Sequence, residues 1–173
     1  MVQYRRFWVL CLSVLLLDQL SKSWVVERAV ELRRDPIRFF DILDGPKALL
    51  EITYVTNPGA AWSMFSDYPE ALTALACIAL VAMFLFRRYL ELEKLPQQFI
   101  FGAIAGGTAG NLVDRIFREP AEVVDFVDVY LPVINYDYPV FNVADSAIFL
   151  GAISCIVLAI KDANHSKAKE SVA

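Results

Sequence analysis

Charged and amide side chains interrupt apolar segments of this chain, and their spacing places them on shared helix faces. Asp18 and Lys22 are four residues apart, and Asn142 and Asp145 are three apart, so each pair lies on one face of a helix. An ionisable group inside a membrane-spanning helix costs about 2.5 to 3.5 kcal/mol on insertion scales and needs a partner. These residues are therefore candidates for chemistry or for buried ion pairs.

The residue types narrow that chemistry. His165, the only histidine, lies in the polar tail HSKAKE, so serine–histidine, cysteine–histidine and histidine–metal sites lack their central residue. Cys11, Cys77 and Cys155 fall inside apolar runs and are expected to be small buried hydrophobes. We expect no metal and no cofactor. Any catalysis must then use carboxylates or lysine.

The composition favours an integral membrane protein. Hydrophobic residues make up 57% of the 173 residues, above the roughly 45 to 50% of soluble domains. Four segments approach the length of about 20 apolar residues that spans a bilayer, and they cover about residues 7–26, 69–90, 99–117 and 141–160. The predicted fold is an all-α single membrane domain over residues 1–173, with four transmembrane helices and a small extracytoplasmic β-containing loop region. The extracytoplasmic loops are predicted at about 27–68 and 118–140.

Basic residues predict the orientation of these helices. One side of the membrane would carry eight Lys and Arg residues in roughly 30 residues, and the other six in roughly 67, so the first side is cytoplasmic by the positive-inside rule. Both termini are then cytoplasmic and both larger loops external. The net charge of −4 is mild, and no basic stripe is interleaved with aromatics, so nucleic acid is not an expected partner.

The first external loop has two features of its own. Residues 50–56 (LEITYVT) alternate apolar and polar side chains as a half-buried strand does, so a small β-containing region or a merely packed loop is expected there. Residues 36–45 (PIRFFDILDG) have the aromatic, amphipathic character of a segment lying at the lipid headgroups.

The predicted orientation brings the polar residues to one depth, near the outer face. The residues that meet there are Asp18, Lys22, Asn57, Gly107, Asn111, Asp114, Arg115, Asp125, Asn142 and Asp145. The pairs Asp18 with Lys22 and Asp114 with Arg115 are also compatible with a purely structural role, as buried pairs between helices. Glycines repeat every fourth residue, at 102, 106 and 110, which lets another helix approach closely.

Five motifs resemble the bacterial lipoprotein signal peptidases, signal peptidase II. In chain order they are DQLSK (18–22), NPGAAW (57–62), GGTAGNLVDR (106–115), VVDF (123–126) and FNVADS (141–146). The resemblance runs from the first predicted helix to the last. One departure is Trp62, where the family more often has phenylalanine.

The resemblance implies an aspartyl endopeptidase of the bacterial inner membrane. It would remove the signal peptide of prolipoproteins just before a diacylglyceryl-modified cysteine, with lipid around it and as a monomer. The catalytic aspartates would be Asp125 and Asp145. The residues that match the surrounding motifs are Asn57, Gly59, Gly107, Asn111, Arg115 and Asn142, with Asp18 and Lys22. Asp128, three residues after Asp125, is a second acid that a shift in loop register would bring into play.

Two neighbouring carboxylates suit peptide hydrolysis, because repulsion keeps one protonated while the other takes a proton from water. Two alternatives belong to other classes, a non-catalytic membrane scaffold and an ion- or proton-coupled transporter. Transport is disfavoured because residues 7–17, 71–86 and 147–160 contain no charge. A serine–lysine protease using Lys22 is weaker still, since a lysine paired with Asp18 stays charged.

The predicted topology is testable with reporter fusions. Because basic residues are retained in the cytoplasm, fusions after Arg88 and after Ala173 should behave as cytoplasmic, and a fusion after Gly45 as external. Reporter activity and protease accessibility in intact cells measure this. An external carboxyl terminus would overturn the convergence of the polar residues at the outer face.

Overall fold

The chain forms a mixed α/β structure, described here by a computed structural model over residues 4–41, 48–60 and 64–170. Within those ranges there are five α-helices and one four-stranded sheet. The helices are α1 (Arg5–Glu27), α2 (Ala29–Arg34), α3 (Pro69–Leu85), α4 (Leu95–Phe117) and α5 (Val143–Glu170).

The sheet is antiparallel, with strands in the order β1 (Ile37–Asp41), β2 (Ala48–Asn57), β3 (Val123–Leu131) and β4 (Tyr136–Phe141). The strand predicted from LEITYVT is confirmed within β2. A register shift between Ile52 and Val55 of β2 sets Val55 opposite Asp125 of β3. The aromatic segment 36–45 contributes to β1, and its residues 42–45 lie outside the described ranges.

The prediction of an all-α protein with four transmembrane helices is wrong. In the described part of the chain, two helices are long and apolar enough to cross a membrane by length and composition, Arg5–Glu27 and Val143–His165. Helix α3 is apolar but has 17 residues, and α4 is interrupted by polar residues in its carboxyl-terminal half. Local sequence patterns did not predict the complete four-stranded sheet, because its strands β2 and β3 are separated in the chain by α3 and α4.

Helix α4 is the centre of the helical layer and packs against α1, α3 and α5. Its glycines permit the close approach to α1. A Cβ atom on Gly102 would lie 2.9 Å from the backbone oxygen of Phe7, and one on Gly106 would lie 2.6 Å from that of Cys11. Gly107 faces α5 in the same manner. The predicted role of the glycine stripe in helix packing is confirmed.

A small apolar core joins the helices to the sheet. Val25 of α1, Leu32 of α2, and Val124 and Phe126 of β3 form one buried cluster. Because burying such side chains stabilises each by roughly 1.5 to 3 kcal/mol, this cluster holds β3 against the end of α1. The sheet therefore lies at the end of the helices where Asp18 and Lys22 are found.

The outer surfaces of the helices are apolar. Helix α3 has no buried residue, and large side chains such as Leu75, Ile78 and Val81 are exposed along it. The expectation that all three cysteines are buried is wrong for two of them, since Cys77 and Cys155 are exposed and Cys11 is buried. Apolar side chains on the outer surfaces of these helices are typical of helices surrounded by lipid.

Candidate active site

A buried lysine is the centre of the polar site. The Lys22 ammonium lies 2.8 Å from Asp114 Oδ2 and 2.9 Å from Asp18 Oδ2, and it donates to Asn111 Oδ1 at 2.9 Å. Lys22, Asp18 and Asp114 have no solvent exposure. An ammonium has three N–H donors, and these three oxygens supply one acceptor for each.

The two carboxylates of this cluster extend it to other elements. Asp18 Oδ1 accepts from the backbone N–H of Ala144 at 2.9 Å, in the first turn of α5. Asp114 Oδ2 accepts from the backbone N–H of Val124 at 3.2 Å, and its Oδ1 accepts from Arg118 Nε at 2.7 Å. The cluster thus fixes α1, α4, β3 and α5 relative to one another.

The expected pairing of Asp114 with Arg115 is wrong. Asp114 pairs with Lys22 and Arg118 instead, because consecutive residues of a helix point in different directions. Arg115 Nη2 donates to the backbone oxygen of Gly59 at 2.7 Å. Its Nε is a buried donor with no hydrogen-bond partner among the residues that the structure describes.

Asn142 connects Asp125 and Asp145. Its Nδ2 donates to Asp125 Oδ1 at 2.7 Å, and its backbone N–H donates to Asp145 Oδ2 at 3.2 Å. In return, the backbone N–H of Asp145 donates to Asn142 Oδ1 at 2.8 Å. Asp125 comes from the first part of β3 and Asp145 from the first turn of α5. One asparagine therefore holds two carboxylates from different elements in a common site.

Two further amides donate to the remaining oxygen of each carboxyl group, the one that Asn142 does not contact. Asn111 Nδ2 donates to Asp145 Oδ1 at 2.7 Å, and Asn57 Nδ2 donates to Asp125 Oδ2 at 3.2 Å. The Asn57 oxygen accepts from the backbone N–H of Gly59 at 2.9 Å, which shapes the turn after β2. Both carboxyl groups are thus oriented by amides before any substrate arrives.

Asp125 has the more perturbed environment. Only 2% of it is exposed. Burial, followed by the charge of Asp145, raises the pKa of Asp125 to about 7, against the lowering effect of the hydrogen bonds from Asn57 and Asn142. A buried carboxyl group beside a like charge keeps its proton into the neutral range. The geometry can therefore hold one neutral and one ionised carboxyl group at once.

Asp125 and Asp145 open onto one cavity of about 780 Å³. Its polar end is lined by both aspartates together with Asn57, Asn111 and Arg115, and the remainder is mostly apolar. The apolar walls come from α3, α5 and β4, and they include Leu72, Ala76, Ile148, Phe149 and Phe141. The cavity accommodates an apolar chain that reaches the carboxyl pair at one end.

The remaining residues of the motifs have separate positions. Gly107 packs against Ala144 of α5, so it supports the site without lining it. Asp128 lies opposite Glu51 in the register of strands β2 and β3. It is not among the described residues that line the cavity. Trp62 lies outside the described residues.

Sequence reasoning missed Gln19. Its Nε2 donates to Asp18 Oδ2 at 3.2 Å, to Asp114 Oδ1 at 3.2 Å and to the Gly110 backbone oxygen at 3.0 Å. Its position between Asp18 and Lys22 in DQLSK was the available signal. Arg118 was assigned only to a loop, although it pairs with Asp114.

A carboxyl pair bridged by one asparagine, at the polar end of an apolar cavity between outward-apolar helices, defines a membrane hydrolase of the aspartyl class. The described residues contain no group of three or more His, Cys, Asp and Glu arranged for a metal. Comparison with known proteins agrees with this class. The family model of signal peptidase (SPase) II matches residues 10–161, so the chain belongs to the signal peptidase II family.

A curated relative is similar over nearly the whole chain. The lipoprotein signal peptidase of Acaryochloris marina (strain MBIC 11017) is 40% identical over 157 residues, which cover 88% of this chain and 87% of the relative. The protein is accordingly an aspartyl protease that cleaves signal peptides from prolipoproteins, and it is a membrane enzyme. This outcome excludes the scaffold and transporter alternatives.

Two solved structures, each described as a bacterial membrane enzyme and obtained by the in meso method, share the fold. The one at 2.3 Å resolution has a TM-score of 0.75 and 28% identity, covering 91% of this chain and 88% of that one. The one at 1.9 Å has a TM-score of 0.65 and 28% identity, covering 89% and 92%.

The buried cluster predicts a large loss of stability in Lys22→Met. Removing the ammonium leaves Asp18 and Asp114 buried without their shared cation, and breaking a buried pair costs roughly 3 to 5 kcal/mol. The melting temperature and the folded yield in detergent should both fall. An unchanged melting temperature would contradict the structural role of the lysine.

Proposed function

We propose that Asp125 and Asp145 are the catalytic pair of this signal peptidase. The observation that carries the proposal is the bridge through Asn142, which donates to one oxygen of each carboxyl group. Both groups line the cavity, and the pKa of Asp125, raised by burial to about 7, supports one neutral member at neutral pH. General acid and general base are then present together.

The reaction uses this proton asymmetry. The ionised carboxylate takes a proton from water as the water oxygen bonds to the scissile carbonyl carbon, and the neutral carboxyl group gives its proton to the carbonyl oxygen. In the second step the carbon–nitrogen bond breaks. The amine nitrogen takes the proton first removed from water, and a hydroxyl of the intermediate returns a proton to the other aspartate. Both carboxyl groups end in their starting states.

The neighbouring residues would position the substrate and the pair. Arg115 and Asn57 lie beside the aspartates at the polar end of the cavity, and Gly59 is fixed between them. Arg115 lines the cavity, and a guanidinium at that position is suited to a backbone carbonyl of the peptide. Asn111 and Asn142 orient the carboxyl groups, while Asp18, Lys22 and Gly107 hold the elements in place.

The site of cleavage is proposed to be the bond just before a diacylglyceryl-modified cysteine. The apolar walls from α3 and α5 suit the apolar signal segment and the acyl chains. The protein is proposed to act as a monomer. The proposed location is the bacterial inner membrane, with both termini cytoplasmic, α1 running outward, α5 running inward, and the site near the outer face.

Substrate choice is tested with purified enzyme in detergent or lipid, offered diacylated and non-acylated forms of one prolipoprotein. Cleavage should be confined to the diacylated form, because acyl chains add apolar contacts that bring the peptide into the cavity. Gel mobility and mass spectrometry of the products measure both rate and position. Equal cleavage of both forms would show that the enzyme is a protease that does not require the acyl chains for recognition.

The catalytic pair is tested by Asp125→Asn and Asp145→Asn, which keep size and hydrogen-bonding capacity but remove ionisation. Each variant should fold and lose cleavage. The double variant should be little worse than either single one, because residues that act as a unit contribute non-additively. Single-turnover rates and thermal unfolding separate catalysis from folding.

Asp128→Asn is the matched control for the catalytic pair. It removes the same kind of charge three residues along the chain, at a position facing Glu51 across the sheet, and should be tolerated. Near-normal turnover by Asp125→Asn, or loss of activity in Asp128→Asn alone, would defeat the assignment.

A further inference from the structure

The three asparagines around the catalytic pair are not oriented by the same kind of partner. Asn57 and Asn142 are fixed by the backbone. Asn57 accepts from Gly59 N–H and donates to the Ala60 oxygen, and Asn142 accepts from Asp145 N–H and donates to the Val124 oxygen. A backbone N–H only donates and a carbonyl only accepts. Neither amide can rotate by 180° without losing both bonds.

Asn111 is oriented by side chains, above all by Lys22. Its Oδ1 accepts from Lys22 Nζ at 2.9 Å and from Asn142 Nδ2 at 3.1 Å. An ammonium has no acceptor, and a charge-assisted bond is roughly twice as strong as a neutral one. The oxygen of Asn111 must therefore face Lys22, and its Nδ2 must face Asp145, where it donates to Oδ1 at 2.7 Å.

This orientation constrains the proton on the catalytic pair. With Nδ2 facing it, Asp145 Oδ1 accepts a hydrogen bond, as an unprotonated carboxylate oxygen does. A rotated Asn111 would present its oxygen to Asp145 Oδ1, and that contact is favourable only if Asp145 carries a proton. Asp145 Oδ2 also faces a donor, the backbone N–H of Asn142.

We propose that Lys22 is a positioning residue of the peptidase reaction, which acts through Asn111 to hold Asp145 as the ionised general base and so leaves Asp125 as the acid. The inference rests on the proposed catalytic pair and adds the order of its two members. The burial of Asp125 is in agreement, since the more buried carboxyl group is the one that retains a proton.

Lys22 acts on Asp125 through its charge, which lowers the pKa of that carboxyl group, and on Asp145 through the orientation of Asn111. The charged groups facing the catalytic pair are Asp18 and Lys22 on α1 and Asp114 and Arg115 on α4, and Arg118 pairs with Asp114. Within the cluster, the cations Lys22 and Arg118 offset the two carboxylates. The amide of Asn111 contacts both Lys22 Nζ and Asp145 Oδ1, so it transmits the orientation of the ammonium to Asp145 directly.

The decisive variant is Asn111→Leu, which keeps the branched shape and the number of side-chain heavy atoms and leaves both ion pairs of Lys22 intact. We expect the acid-side limb of the kcat/KM profile to move to higher pH by about one unit, a tenfold loss of rate on that limb. Activity should recover at higher pH, with KM close to wild type. Lys22→Met should move the limb in the same direction in the fraction that folds.

Arg118→Met is the matched control. It removes a cation from Asp114, as Lys22→Met does, without touching Asn111. Stability should fall while the pH profile of the folded enzyme stays that of wild type. An equal displacement of the profile in Arg118→Met would show that charge, and not the orientation of Asn111, is responsible.

A readout that does not depend on activity is the carbon-13 signal of labelled aspartate carboxyl groups in the detergent-solubilised enzyme. Near pH 6, Asp145 should have the chemical shift of a carboxylate in the wild type and that of a carboxylic acid in Asn111→Leu. The signals are identified with Asp125→Asn and Asp145→Asn. A protonated Asp145 in the wild type, or an unchanged Asp145 signal in Asn111→Leu, would overturn the proposal.

These outcomes separate the two hypotheses. Retained cleavage by Asp125→Asn and Asp145→Asn would defeat the catalytic pair itself. Loss of cleavage in those variants, together with wild-type pH profiles in Lys22→Met and Asn111→Leu, would defeat the role of Lys22 alone. If Lys22→Met does not fold, Asn111→Leu decides the question, by its profile or by its carboxyl signals.

Discussion

The buried ammonium of Lys22 is the interaction on which the rest of the structure depends. An unpaired charge in a low-dielectric interior costs several kcal/mol even after relaxation, so this group is tolerable only where acceptors surround it. Two carboxylates and one amide oxygen supply them, all within 2.9 Å. Each acceptor belongs to a residue that has a second role elsewhere. The geometry around Lys22 is therefore transmitted to α5 through Asp18 and to β3 through Asp114.

The proposed catalytic residues, Asp125 and Asp145, lie where the sheet meets the helices, and this has a physical basis. Asp125 is within a strand, where its backbone is fixed by pairing with β2, and Asp145 is in the first turn of a helix. Neither residue is on a long loop. Rigid elements and hydrogen-bonded amides keep two carboxyl groups in place at the outset, which reduces the reorganisation required in the transition state.

The helical layer combines a rigid half with an open half. Glycines let α4 approach α1 and α5 closely, and the ion cluster holds the same three helices together. Helix α3, by contrast, packs mainly against α4 and has no buried residue. The cavity lies between α3 and α5, on the side where packing is sparse. An apolar substrate segment can enter there without displacing the helices that carry the polar network.

The sequence by itself determined the features that depend on neighbours along the chain. Spacing of three and four residues placed Asp18 with Lys22 and Asn142 with Asp145, and alternation predicted the strand at residues 50–56. The motifs led to the family and to the residues that the structure brings together. Each of these signals is contained within one turn or one strand, so no tertiary information was needed.

Only the tertiary structure decided which groups meet across the chain. The four-stranded sheet requires β2 to pair with β3 across α3 and α4. Asp114 has two cations within reach besides its neighbour Arg115, and it pairs with Lys22 and Arg118. The direction of the Asn111 amide depends on an ammonium 89 residues away. Hydrogen bonds and ion pairs form by distance and direction in space, and residue spacing fixes those quantities only within a single element.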